Sequence, residues 1–107
     1  MTVKEIVEKM DDFTDEERGT YLRLLCESLT PVSKAQLFAF QNDWKPEFET
    51  THNIVADFKK FKTAQNKEIR RCLEVELTER GNRVRQSLGL QPLHEEDEIK
   101  ESEEVTK

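Results

Sequence analysis

A chain of 107 residues that is 35% hydrophobic and 37% charged is about one domain with a lean core, against roughly 45–50% and 25% in an average globular protein. No apolar run approaches the roughly 18 residues a membrane span needs, and Met1-Thr2-Val3-Lys4-Glu5 lacks the apolar region of a secretory signal, so an intracellular protein is expected. The net charge of −6 is segregated: residues 1–58 hold 6 Lys/Arg against 12 Asp/Glu, residues 59–93 hold 9 against 4, and residues 94–107 hold 2 against 7, which makes an acidic head, a basic middle and an acidic tail.

Thr2 and Glu5 stand at capping-box spacing, so a helix is predicted to begin there, with Val3, Ile6, Val7 and Met10 on one face and Asp11-Asp12 ending it. Thr14 and Glu17 repeat the spacing, and Asp15, Glu16 and Glu17 favour the positive end of the helix dipole. That second helix should run to about Leu29. Tyr21, Leu22, Leu25, Cys26 and Leu29 form its buried stripe, while Arg18, Arg23 and Glu27 stay outside.

Thr30-Pro31 breaks the run, because proline restricts the residue before it to extended geometry. Either Thr30 with Pro31 in the first turn, or Ser33 with Gln36, starts the third helix. It carries Ala35, Leu37, Phe38, Phe40 and Trp44 and stops before Lys45-Pro46. Phe38 and Phe40 cannot share one helix face, nor can Leu37 and Ala39, so one side of the helix is left as a docking or dimer surface.

From Thr50 or Thr51 a helical pattern continues to Leu88. Val55, Phe58 and Phe61 head its stripe, and Ile69, Cys72, Leu73, Leu77, Val84 and Leu88 extend it. One helix of that length would be about 55 Å long, more than short partners can cover. A break is therefore predicted at Thr63–Lys67, where apolar residues thin out, or at Gly81-Asn82, both poor helix formers. Gly89 and Pro92 mark the stop. Residues 1–93 thus read as an all-α bundle of three to four short helices with a longer, broken C-terminal helix. Residues 94–107 hold two isolated aliphatics among seven acids and read as a disordered acidic tail.

Chemistry has little to work with in this chain. The histidines are His52, at a predicted helix start, and His94, at the edge of the tail, and neither is placed beside a nucleophile. Cys26 and Cys72 lie far apart and read as buried free thiols rather than zinc ligands or a disulfide. Asp11, Asp12 and Asp15 lack the glycine and closing glutamate of a calcium loop and read as caps and a solvated turn. The three glycines form no phosphate cradle. No catalytic, cofactor-binding or metal site is expected, and the chain is not expected to be an enzyme.

Binding is the remaining class. The basic middle, with Lys59, Lys60, Arg70 and Arg71 at its centre, reads as a solvated face, as a surface for an acidic protein, or as a nucleic-acid contact weakened by interspersed glutamates. Phe38, Phe40, Trp44, Phe48, Phe58 and Phe61 form an aromatic cluster, mostly core. Ser102 before Glu103-Glu104 has the acidic context some kinases prefer.

The stretch Val84-Arg85-Gln86-Ser87-Leu88-Gly89-Leu90-Gln91-Pro92-Leu93 resembles the Hub-interacting motif of some splicing factors, which binds a ubiquitin-like protein. The resemblance spans about a tenth of the chain and implies a salt bridge from Arg85 with apolar contacts from Leu88, Leu90 and Leu93. A helix stop at Gly89 accounts for the same residues by capping alone. The chain is thus read as an interaction module, an adaptor or complex subunit, that docks through Phe38, Phe40 and Trp44 or through the basic C-terminal helix. Its partner is another protein or a second copy of itself, with nucleic acid at residues 59–85 as the alternative.

Overall fold

In the computed structural model, which describes residues 1–44 and 54–100, the chain is all-helical, with no strand among the described residues. Expectations for Phe48, the helix start at Thr50 or Thr51, His52 and Ser102 lie outside those residues.

Helix α1, Val3–Lys9, is capped by Thr2 with the reciprocal bonds expected of it: Thr2 Oγ1 accepts from the Glu5 amide at 3.1 Å and Glu5 accepts from the Thr2 amide at 2.9 Å. A 3₁₀ turn, Met10–Asp12, leads to the second capping box at Thr14 and Glu17. From there α2 (Asp15–Glu17), a π-helical stretch (Arg18–Leu22) and α3 (Arg23–Glu27) follow without a gap. Helix α4 is Pro31–Asp43, with Thr30 as cap and Pro31 in the first turn, which decides between the two predicted starts. Helix α5, Ile54–Glu76, is about 35 Å long, and α6 is Glu79–Ser87.

Helix α5 is the central element, contacting α4, α6 and the 3₁₀ turn. Its Ile69, Cys72 and Leu73 join Val3 and Ile6 of α1, Met10 of the 3₁₀ turn, Leu22 of the π-helical stretch, Leu25 of α3, Leu29 just beyond it, Leu37 of α4, and Leu93 in a single core. These positions recur at helical spacing, and burying such side chains is the main term favouring the fold.

Four expectations are corrected. The break in the C-terminal helix falls at Leu77-Thr78, not at Thr63–Lys67 or Gly81-Asn82. Thr78 is extended and accepts from the Gly81 amide at 2.9 Å, so it caps a new helix. Gly81 lies in that helix's first turn, where a Cβ would stand 2.1 Å from the Val75 carbonyl oxygen and 2.9 Å from Glu76 Cα. Its missing side chain permits the α5–α6 corner to close, a requirement of packing rather than helix propensity.

The second correction follows from the first. After Thr78 the helix restarts in a new phase, so Val84 and Leu88, read as part of a continuous buried stripe, are 48% and 50% exposed. Phe58, read at the head of the stripe, is exposed too. Third, Arg18 turns inward: its guanidinium donates to Asn66 Oδ1 at 2.7 Å and to the Gln65 side-chain oxygen.

Fourth, the acidic segment does not leave the domain at residue 94. The Val3 and Lys4 amides donate to the carbonyls of Asp97 and Glu95, each at 2.9 Å, the Ile99 amide donates to the Met1 carbonyl at 2.8 Å, and Ile99 packs against the core. Val3 and Lys4 hold the first two amides of α1, which lack partners inside their own helix. Backbone carbonyls thus fix residues 94–100, a signal that hydrophobicity does not carry.

A groove at the junction of three helices

The last turn of α5, the first turn of α4 and, through Arg85, the last turn of α6 meet around a buried carboxylate. Glu76 Oε2 accepts from the Thr30 amide at 2.9 Å, the Thr30 hydroxyl at 2.8 Å and the Ser33 hydroxyl at 2.5 Å. Its Oε1 accepts from Arg85 Nη1 at 2.5 Å, and Arg85 also donates to the Ser28 and Gln91 carbonyls. Burial pushes the Glu76 carboxyl up, but the bonds from Ser33, Thr30 and Arg85 together outweigh it and hold the group below the ordinary glutamate range. With three donors on Oε2 and one on Oε1, Glu76 is the buried anion that joins these helices.

Over this network lies a groove of about 410 Å³ between α4, α5 and α6. Val32 and Gln36 line it from α4, Cys72 and Val75 from α5, and Val84 from α6. Val32 and Val75 are 63% and 64% exposed. Arg71 and Arg80 stand at its rim.

No family model, curated protein or solved structure matches this chain.

The residues singled out from sequence are dispersed around the fold. Phe38 is 66% exposed on α4. Phe40 and Trp44 both pack on Phe61, with ring centroids 6.0 Å and 5.4 Å apart, and so tie α4 to α5 while each stays half-buried. Arg70 is pinned by the Val7 carbonyl and the Asp11 carboxylate, both at 3.0 Å. Arg71 pairs with Glu68 at 3.2 Å, while Lys59 and Lys60 are exposed on α5. The nearby Lys62 sits 3.0 Å from Asp15 and 4.6 Å from the centre of the Phe58 ring. Internal carboxylates therefore compensate much of the basic segment.

The segment 84–93 is built as a helix stop. Gly89 has φ of +82°, the Gly89 amide donates to the Gln86 carbonyl and the Leu90 amide to the Arg85 carbonyl, which is the Schellman arrangement. Arg85 and Leu93 are 4% exposed. Asn82 holds Leu93 by bonds to both its amide and its carbonyl. Of the four contact residues the resemblance implies, Leu88 is exposed and Leu90 half-buried. Arg85 and Leu93 face inward, a placement decided by the α5–α6 corner.

Cys26 and Cys72 are free thiols. Burial pushes the Cys26 thiol up to about 11 and also raises that of Cys72, which suppresses thiolate chemistry at neutral pH. Among the three aspartates weighed for calcium, Asp11 accepts from Asn66 and Arg70, and Asp15 pairs with Lys62.

The groove residues missed from sequence are Val32 and Val75, while Arg80 reads there only as one of the basic residues of the segment 59–85. The only sequence signal was an aliphatic off the buried stripe of its helix, as Val75 is beside Leu73 and Leu77. Their convergence depends on where α6 turns back.

Proposed function

We propose that this chain is a non-catalytic, intracellular protein–protein interaction module, an adaptor or complex subunit, that docks through the outer side of α4 and the groove beside it. The observation that carries this reading is the character of α4. A surface helix ordinarily turns charge toward water, yet among its thirteen residues only Lys34 and Asp43 are charged, in a chain where 37% of residues are. Its inner side is covered by the core through Leu37, and its outer side exposes Val32, Ala35, Phe38 and Ala39. Val75 and Val84 continue that apolar surface across the groove, and a contiguous exposed patch of this kind is the usual mark of an interface.

The test places a photo-crosslinking residue at position 38 and, as control, at Glu8 on α1. The reading requires adducts at 38 that persist in high salt and none at position 8, because apolar docking does not weaken with ionic strength as phosphate binding does. Sedimentation of the free chain decides whether the adduct is a second copy. Nucleic-acid binding would instead weaken steeply between roughly 50 and 200 mM salt. It would also be lost on reversing Lys59, Lys60 and Arg71 to glutamate, with Arg70 spared because it holds α1.

A further inference from the structure

We infer that the α4–α5–α6 groove takes an aliphatic segment of a partner protein carrying a carboxylate that pairs with Arg80. The inference rests on the docking reading above and specifies the chemistry of the occupant. Four charged residues line the groove: Glu68, Arg71, Glu76 and Arg80. Glu76 is committed to Arg85 at 2.5 Å beneath the floor, and Glu68 to Arg71 at 3.2 Å on the α5 wall. Arg80 has no ion pair among the described residues, so it is the groove's uncompensated charge, a local positive site on a chain of net charge −6.

Arg80 contributes little to its own helix. It sits in the first turn of α6, where a cation opposes the macrodipole. An incoming carboxylate would meet both the guanidinium and the positive end of that helix. Of the remaining lining, the Thr30 and Ser33 hydroxyls are spent on Glu76 and that of Thr78 on its cap, which leaves Gln36 beside Cys72 and the exposed side chains of Val32, Val75 and Val84, so the rest of the occupant is mainly apolar. A basic or strongly polar segment would place like charge on Arg80 or leave its polar groups unpaired against the valines.

The probe is a short helical peptide of leucine, alanine and glutamate, with two further peptides in which each glutamate is glutamine or lysine. Each is titrated into the ¹⁵N-labelled full chain. The glutamate peptide should shift the amides of Val32, Cys72, Val75 and Val84 and bind about two- to fivefold more tightly than the glutamine peptide, as expected for a partly exposed ion pair. The lysine peptide should bind most weakly. Arg80→Glu, at an exposed position, should leave the free spectrum otherwise intact and reverse the order of the glutamate and lysine peptides.

Shifts located elsewhere, equal affinity of the glutamate and glutamine peptides, an order unaltered by Arg80→Glu, or no binding of any peptide would overturn the inference. The docking reading stands or falls separately on the crosslink at position 38.

Discussion

Arg85 and Glu76 form an ion pair 2.5 Å long with both side chains about 95% shielded from solvent, and it joins α6 to the end of α5 across the helix break. Thr30 and Ser33 bring the start of α4 to the same carboxylate. One anion therefore organises three helix termini, and the groove above them depends on it.

Removing one member of this pair strands the other in a dry site. Glu76→Gln and Arg85→Met should each destabilise the domain by about 3–5 kcal/mol. The double variant should cost less than the two effects added together, since neither charge is then left alone. Urea denaturation of the four proteins measures the coupling, and strict additivity would mean that the pair does not act as a unit.

Stability should fall in acid. The carboxyls of Glu76 and Asp11 are both held below their ordinary values, Asp11 first by the bond from Asn66 and then by that from Arg70. Their folded forms bind protons less readily than the unfolded chain does, so the stabilisation is complete above the ordinary values of 4.5 and 3.8 and is lost as pH drops through and below them. Urea midpoints measured from pH 7 to pH 2 should decline in that window, and Asp11→Asn should flatten the decline.

The glycines should respond to alanine in opposite directions. Gly81→Ala drives a methyl into the Val75 carbonyl, a backbone atom that cannot step aside, and should cost several kcal/mol, at or above the ~1–3 kcal/mol usual for overpacking. At Gly19, where nothing lies within 4 Å of the added carbon, alanine should stabilise by about 0.4–1 kcal/mol. Thermal melts of the two variants distinguish these effects.

Deleting residues 94–107 should lower stability by about 1–3 kcal/mol, because the first two amides of α1 lose the Asp97 and Glu95 carbonyls and Ile99 leaves its packing site. Hydrogen exchange at Val3 and Lys4 should accelerate in the truncated chain. An unchanged melting temperature would mean that the segment carries no structural load.

Both thiols should resist a disulfide-exchange reagent at pH 8 until the protein is denatured, given the raised values at Cys26 and Cys72. Rapid release from the native protein would place at least one of them at a mobile or open surface.

What the sequence determined by itself is local. Capping boxes at Thr2-Glu5 and Thr14-Glu17, the Thr30-Pro31 start, the Gly89 stop and the stripe through Ile69, Cys72 and Leu73 are set by residues within one or two turns of each other, so spacing alone reveals the all-α class and much of the core. The tertiary structure decided what depends on partners far apart in the chain. The break at Thr78 requires Gly81 to meet the Val75 carbonyl, the inward turn of Arg85 requires Glu76 and Ser28, and the hold on residues 94–100 requires the bare amides of α1. The groove belongs to this second class. Val32, Val75, Val84 and Arg80 have no common period in the sequence and become neighbours because three helix ends converge on one buried carboxylate.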